Sequence, residues 1–343
     1  MNKKEIKSYS FEELVKELEL LGEKKFRGKQ IYEWLHVKLV DSFDEMSNLP
    51  KSLREKLNEH FDIGRLKIVE RQVSKQDGTN KFLFALADGH VVESVLMRYK
   101  HGNSVCISSQ VGCRMGCVFC ASTIGGLSRN LSTAEMLDQV YSIQKQTGER
   151  VSNIVIMGTG EPLDNYDSFL KFVQMVSDDR GLNISQRNIT VSTCGLIDEI
   201  RKLAEEQLQI TLALSLHGSS QEKRERLMPI ARKNELSEVL DACDYYFEKT
   251  GRRISCEYSL VEGVNDRKED VDELVGLLKH RKFHVNLIPV NPIKERNFVR
   301  PSRKNAEKFQ NMLEMSGINV TIRREMGTDI DGACGQLRRK HIE

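Results

Sequence analysis

Between Val105 and Asn130 the chain reads VCISSQVGCRMGCVFCASTIGGLSRN and carries four of its eight cysteines. Three of these, Cys113, Cys117 and Cys120, fall in a C-x3-C-x2-C pattern. Thiolates this close can wrap one inorganic centre, and such ligands suit an iron–sulfur cluster or zinc. A zinc site normally recruits a fourth Cys or His at fixed spacing, and no second C-x2-C pair follows. Three ligands on a centre that usually takes four leave one position open, and an open position on a metal is where chemistry happens. Phe119, just before the last of the three, would put an apolar ring beside the centre and restrict water. Structural thiols seldom cluster at helical-turn spacings, so incidental cysteines are the weaker reading.

The elements that must position these residues follow from patterning. The first 65 residues read as a helical accessory domain. Ser10 is a helix N-cap with Glu13 at the capping-box position, and Leu14, Leu18 and Leu21 form an apolar stripe. Lys24, Lys25, Phe26, Arg27, Lys29, Tyr32 and Trp34 interleave basic and aromatic residues. That run reads either as a solvated helix face over a small core or as a surface for phosphate backbones. Residues 66–100 form a β-hairpin linker, two β-rich runs joined at Asp88-Gly89, with Glu93 in the second run. A carboxylate on an alternating strand ordinarily faces solvent.

From residue 101 to 343 strands alternate with helices. Strands are expected over Ser104–Ser108, Asn153–Met157, Asn188–Thr193, Ile210–Leu216, Ile254–Leu260 and His284–Val290. Helices are expected near Thr133–Gln146, Tyr166–Val176, Ile197–Glu206, Leu236–Lys249 and Lys268–Lys279. This rhythm implies parallel pairing with helices outside, an α/β fold of six units in a partial (β/α)6 barrel open on one side. Ligands in such folds collect at the C-terminal strand ends. Unusual residues stand there: Gly158-Thr159-Gly160-Glu161-Pro162, then Ser192, then Ser215-Leu216-His217, then Asn286 and Asn291. Two thiols outside the cluster motif stand apart. Cys106 lies one strand-length before it, and Cys334 sits among glycines and carboxylates, which point to a mobile loop rather than a core position. Cys194, Cys243 and Cys256 read as ordinary small positions, and Arg338–His341 as a short basic tail.

Bulk properties restrict the class. Charged residues make up 30% and net charge is only +2, so any contact with a polyanion must be local. No apolar run approaches the ~20 residues of a membrane span. The polar, lysine-rich start has no secretory core, and eight cysteines with no export signal fit a reducing cytosol and metal or redox use, so a cytoplasmic protein is expected.

The cysteine motif resembles that of radical-SAM enzymes, and the whole chain resembles the RlmN/Cfr family of RNA methyltransferases. The matching segments are FRGKQIYEWL, CISSQVGCRMGCVFCAST, GTGEPLDNY, ITVSTCG, LALSLH, VNLIPVNP and EMGTDIDGACGQL, in family order. Pairing Cys106 with a glycine-flanked C-terminal Cys334 narrows the match from superfamily to family. The resemblance implies a 4Fe–4S cluster on Cys113, Cys117 and Cys120. It implies two S-adenosylmethionine (SAM) molecules per turnover, bound through Gly160, Glu161, Ser192, Ser215, Leu216, His217 and Asn291. Cys334 would take a methyl group, a radical would remove hydrogen from it, and the methylene would bond to an adenine ring carbon. Cys106 would resolve the link through a transient disulfide, with Glu93 as general base.

Within the family, RlmN members act on carbon 2 of adenosine and Cfr members on carbon 8, and SQVGCRMGCVFCAST and STCG are closer to RlmN. The implied substrates are 23S rRNA at the peptidyl-transferase centre and tRNA at the adenosine 3′ to the anticodon. The implied electron donor is a flavodoxin or ferredoxin, and the implied state a monomer. Thr159 departs from the family, which often has Met there, and bears on the packing of that loop. The alternatives are a carbon-8 enzyme and a non-catalytic thiolate metal protein that binds RNA.

Overall fold

The computed structural model describes residues 3–293 and 295–337; the basic tail Arg338–His341 lies outside them. The N-terminal part is helical: α1 Phe11–Leu20, α2 Phe26–His36 and α3 Lys51–His60. The capping box of α1 is made in both directions, Ser10 N–H donating to Glu13 and Glu13 N–H to Ser10 Oγ. Next come β1 Lys67–Val73, β2 Asn80–Ala85, β3 Val91–Tyr99 and β4 Gly102–Cys106. After α4 Thr133–Thr147 the remaining strands are β5 Val151–Ile156, β6 Ile189–Thr193, β7 Thr211–Ser215, β8 Ile254–Leu260, β9 Phe283–Pro289 and β10 Val320–Ile322. Between them lie α5 Tyr166–Ser177, α6 Ile197–Glu205, α7 Gln221–Leu227, α8 Leu236–Thr250, α9 Lys268–Leu278 and α10 Arg303–Met315.

Among the described residues these ten strands make one sheet, in the order β10-β9-β8-β7-β6-β5-β4-β3-β2-β1. From β4 to β10 every pairing is parallel; β3, β2 and β1 continue the sheet antiparallel. The chain is thus an α/β partial barrel whose open side is extended by the hairpin strands. Apolar side chains such as Ile154, Val191, Leu212, Leu214 and Leu287 lie on the sheet face that meets the helices, where Phe169, Phe172, Val239 and Leu274 pack with them in one buried core. The N-terminal helices contribute Leu14, Leu18, Ile31 and Leu35 to that same core.

Among the described residues one buried ion pair joins the two parts. Lys7 Nζ lies 2.7 Å from Asp138 of α4, and both side chains are buried. His36 Nδ1 meets the Tyr141 hydroxyl at 2.8 Å, and burial pushes the His36 imidazole down to about 3, so it docks neutral. Lys7→Ala would strand the Asp138 carboxylate and is expected to lower unfolding free energy by about 3–5 kcal/mol. The charge-free double variant Lys7→Met/Asp138→Leu should lose far less. Urea midpoints of the two variants check this, and equal losses would contradict it.

Candidate active site

The cluster-motif cysteines sit on the loop that leaves β4. A short antiparallel pairing of Gln110–Gly112 with Leu127–Asn130 closes the base of that loop. Its interior is fixed by Val118 N–H donating to the Leu227 carbonyl and by the Thr123 hydroxyl donating to the Cys117 and Cys120 carbonyls. Cys113, Cys117 and Cys120 then line one cavity of about 910 Å³. Met115, Met228 and Phe119 line it beside them and make its wall apolar.

Around the rest of the cavity stand the strand ends. Gly160 and Glu161 follow β5, Ser192 ends β6, Ser215 ends β7 with His217 just beyond, and Asn291 follows β9. Leu216 departs from this set: its side chain is fully buried in the core, and only its backbone N–H reaches across, to the Glu257 carbonyl. At Gly160 (φ 111°) an added Cβ would lie 2.6 Å from Gln110 Cβ. The glycine therefore serves close packing of its loop against the chain itself, beyond any approach to a ligand.

Two ionisable groups in this wall are tuned by burial. Glu161 accepts from Cys194 N–H at 2.8 Å and Leu163 N–H at 3.2 Å, and burial lifts its carboxyl to about 7. His217 adopts a left-handed backbone (φ 53°), and its Nδ1 accepts from Ser259 N–H at 2.9 Å, so the ring proton rests on Nε2. Burial drives the imidazole down to about 3, and Phe119 packs edge-on against it with centroids 4.7 Å apart.

Cys106 opens elsewhere. It lines a second cavity, about 550 Å³, with Val95, Met97 and Tyr99 of β3, opposite which it pairs. Burial, with Cys334 nearby, pushes its thiol up to about 12. Cys334 lines both cavities, and it is the one cysteine among the described residues that does so. Its loop is held rather than loose: Asn291 Nδ2 donates to the Cys334 carbonyl at 3.0 Å, and Ala121 N–H to the Gly335 carbonyl at 2.8 Å. Glu93 belongs to the face of β3 that carries Val95 and Met97, by the period-two rule. It is only 2% exposed, against the expectation of a solvent-facing carboxylate, and lies 3.8 Å from the ammonium of Lys81.

Sequence reading passed over three residues here. Arg323, just after β10, lines both cavities. Its guanidinium is held protonated more firmly than usual, by Cys334 foremost and then by Glu257 and Cys106. Glu257 lines the first cavity from β8 and accepts from Asn286 Nδ2 at 2.8 Å. A glutamate inside ISCEYSL was the available signal. Cys194, read as an ordinary small residue, also lines the first cavity.

The three thiols fit a cluster better than a single ion. Burial pushes Cys113 up to about 12 and holds Cys117 and Cys120 above the ordinary thiol range, so thiolates here require a strong cation beside them. Among the described residues no three Cys, His, Asp or Glu converge closely enough to share one ion. The spread of three thiols around a cavity matches a multi-iron centre. His280 and His284, spaced H-x3-H, lie by the opposite, N-terminal end of β9, where His284 meets Thr321 at 2.9 Å.

Comparison with known proteins agrees with this arrangement. Residues 107–278 match the radical SAM superfamily, and residues 5–63 match the N-terminal domain of ribosomal RNA large subunit methyltransferases. The chain is 63% identical over 339 residues to a probable dual-specificity RNA methyltransferase RlmN of Lachnoclostridium phytofermentans, covering 99% of this chain and 95% of that protein. A protein of the same description from Clostridium perfringens is 55% identical, covering 99% and 98%. A radical SAM methyltransferase from Sphaerobacter thermophilus superposes with a TM-score of 0.94 at 40% identity, over 98% of this chain and 99% of that one. With a thiol-lined cavity at the strand ends and full-length identity at this level, the chain belongs to the RlmN family of radical SAM RNA methyltransferases.

Proposed function

We propose that the protein methylates carbon 2 of adenosine in 23S rRNA, at the peptidyl-transferase centre, and in tRNA, at the adenosine 3′ to the anticodon. The observation that carries this reading is the position of Cys334 between a cavity lined by the three cluster-motif thiols and a second cavity lined by Cys106. The phrase "dual-specificity" in the relatives' description supports two kinds of RNA.

Cys113, Cys117 and Cys120 would hold a 4Fe–4S cluster, with SAM beside it against Gly160, Glu161, Ser192, Ser215, His217 and Asn291, and with the Leu216 backbone nearby. When bound, that pair supplies one-electron chemistry strong enough to take hydrogen from an unactivated methyl group. The chain's own residues do the rest. Cys334 acts as thiolate and receives the methyl group of a first SAM, forming S–CH3 as the donor's C–S bond breaks; a second SAM serves the radical step. Arg323 lines both cavities with it and carries a fixed positive charge there. The Cys334-borne carbon, one hydrogen short, bonds to the electron-poor ring carbon, which ordinary polar methyl transfer cannot reach. The adduct radical would return one electron to the one-electron centre of the first cavity as Glu93 takes the ring proton. Cys106 gives up its thiol proton and attacks the sulfur of Cys334; the S–C bond breaks, its electron pair and a proton complete the methyl group of the released adenosine, and a Cys106–Cys334 disulfide is left for an external reductant. All eight cysteines are free thiols in this structure, the state from which such a cycle begins.

The base must leave its stack to enter, which suits a loop or junction adenosine. Phe26, 53% exposed, stands among exposed Lys24, Lys25 and Lys29 at the start of α2, and this face would meet RNA phosphate and bases, whereas Tyr32 is buried in the core. Reduction by a flavodoxin or ferredoxin, a monomeric state and a cytoplasmic location belong to the same reading. No described helix is long and apolar enough to cross a membrane.

Cys106→Ala tests the order of events. Without its resolving thiol the variant should accumulate a covalent protein–RNA species, seen as a shifted band on denaturing gels, with turnover falling about 10³-fold or more. Clean turnover by this variant would remove Cys106 from the mechanism.

A further inference from the structure

The segment that carries Cys334 is tied down at both ends, and the tie at its start comes from the hairpin strands some 250 positions earlier. The turn between β1 and β2 is self-built: Ser74 N–H donates to the Thr79 carbonyl at 2.8 Å, and Ser74 Oγ accepts from Gln76 and Asp77 N–H. Asp77 divides its oxygens. Oδ1 accepts from Thr79 N–H at 2.9 Å within the turn, while Oδ2 accepts from Gly327 N–H at 2.9 Å in the Cys334 segment. Lys75 N–H donates back to Asp329 Oδ2 at 3.0 Å, and the Thr328 hydroxyl meets Gln76 Oε1 at 3.2 Å. Gly327 sits in the left-handed region (φ 65°), and a Cβ there would lie 2.9 Å from Thr79 Cγ2, so the Gly327 backbone packs directly against the Thr79 side chain. The far end is held by the cluster loop, Ser122 Oγ donating to the Leu337 carbonyl at 2.9 Å.

We propose that the β1–β2 turn is a clasp and that Asp77 is a positioning residue for Cys334, holding its sulfur at the boundary of the two cavities. The proposal deepens the assignment of Cys334 as the methyl-carrying residue and rests on it. With residues 327–331 anchored on the turn and 335–337 on the cluster loop, Gly332, Ala333 and Cys334 span the gap between the two anchors, Gly332 N–H donating to the Gly327 carbonyl and Asn291 to the Cys334 carbonyl. Lys81 extends the clasp. Its buried ammonium reaches the Asp331 carbonyl at 3.4 Å and the Glu93 carboxylate at 3.8 Å, so one cation sets proton acceptor and carbon carrier in common register.

The test is iodoacetamide labelling of the anaerobic, cluster-loaded protein, followed by peptide mass spectrometry with the fully buried Cys243 and Cys256 as internal references. Removing a charge-assisted hydrogen bond should free the segment, so Asp77→Ala is expected to label Cys334 about tenfold faster than the parent. Asp77→Asn keeps one of the two acceptors and sets an amide N–H against the other backbone donor, so its rate should fall between the parent and Asp77→Ala. Asp329→Ala alters an exposed loop position, leaves the core untouched and should also speed labelling, which decides the matter if Asp77→Ala does not fold. Unchanged Cys334 rates in the alanine variants would overturn the clasp. So would a rise shared by Cys243 and Cys256, which would mark general loosening. Labelling needs neither methyl donor nor RNA, so its failure is separable from failure of the methyl-carrier assignment, which protein-bound methyl on the parent reads directly.

Discussion

Cys334→Ala is expected to abolish methyl transfer to RNA, a loss of more than about 10³-fold, and to leave no methyl group on the protein. The size of the effect follows from position. Cys334 is the one described cysteine on the border of both cavities, whose walls Arg323 also lines. Without that sulfur the carbon has no carrier between the site that would supply it and the site that would accept the base. Fold and cluster should survive, because the loop is held through backbone carbonyls at Cys334, Gly335 and Leu337 rather than through the thiol. Mass spectrometry of the protein after incubation with labelled SAM reads the outcome. Label persisting on the alanine variant would refute the role.

Cys113→Ala is expected to be as severe by a different route. The loop offers three thiols to a centre that needs every one of them, and each lies in a wall where a thiolate is costly without the metal's charge. Iron and sulfide content, and the brown absorbance of the reconstituted protein, should fall to background. An unchanged spectrum would show the ligand assignment to be wrong, and stoichiometric zinc without iron in the parent protein would end the radical reading.

Much of this arrangement was legible in the chain, and what escaped did so for identifiable reasons. The six expected strands and five expected helices lie within about two residues of those observed, because each pairs a clear apolar period with turn residues at its ends. Missed were α10, although Ala306, Phe309 and Leu313 give it an apolar stripe, α7, whose QEKRERL carries almost none, and the three-residue β10. Glu93 defeated the alternation rule because β3 is covered on both faces. Ser94 on one side meets Gln139 of α4, and Val95 on the other packs with Met326 and Leu337 of the C-terminal segment. No local pattern announces that a segment more than two hundred residues away will cover a strand. Leu216 shows the opposite case: one residue past a strand end, its side chain turns into the core while its backbone stays among the strand ends. Arg323 and Lys81 gave no signal beyond their charge, since their importance comes from two cavities and a clasp that exist only after folding.

The central claim is the chemical position of the methyl group, and nucleoside mass spectrometry with retention standards tests it most directly. Ribosomal RNA and tRNA lacking the modification would be treated with the anaerobically reconstituted protein, SAM and reductant, then digested. The account predicts 2-methyladenosine from both RNAs. Recovery of 8-methyladenosine, or of no methylated adenosine from a preparation with intact cluster, would contradict it.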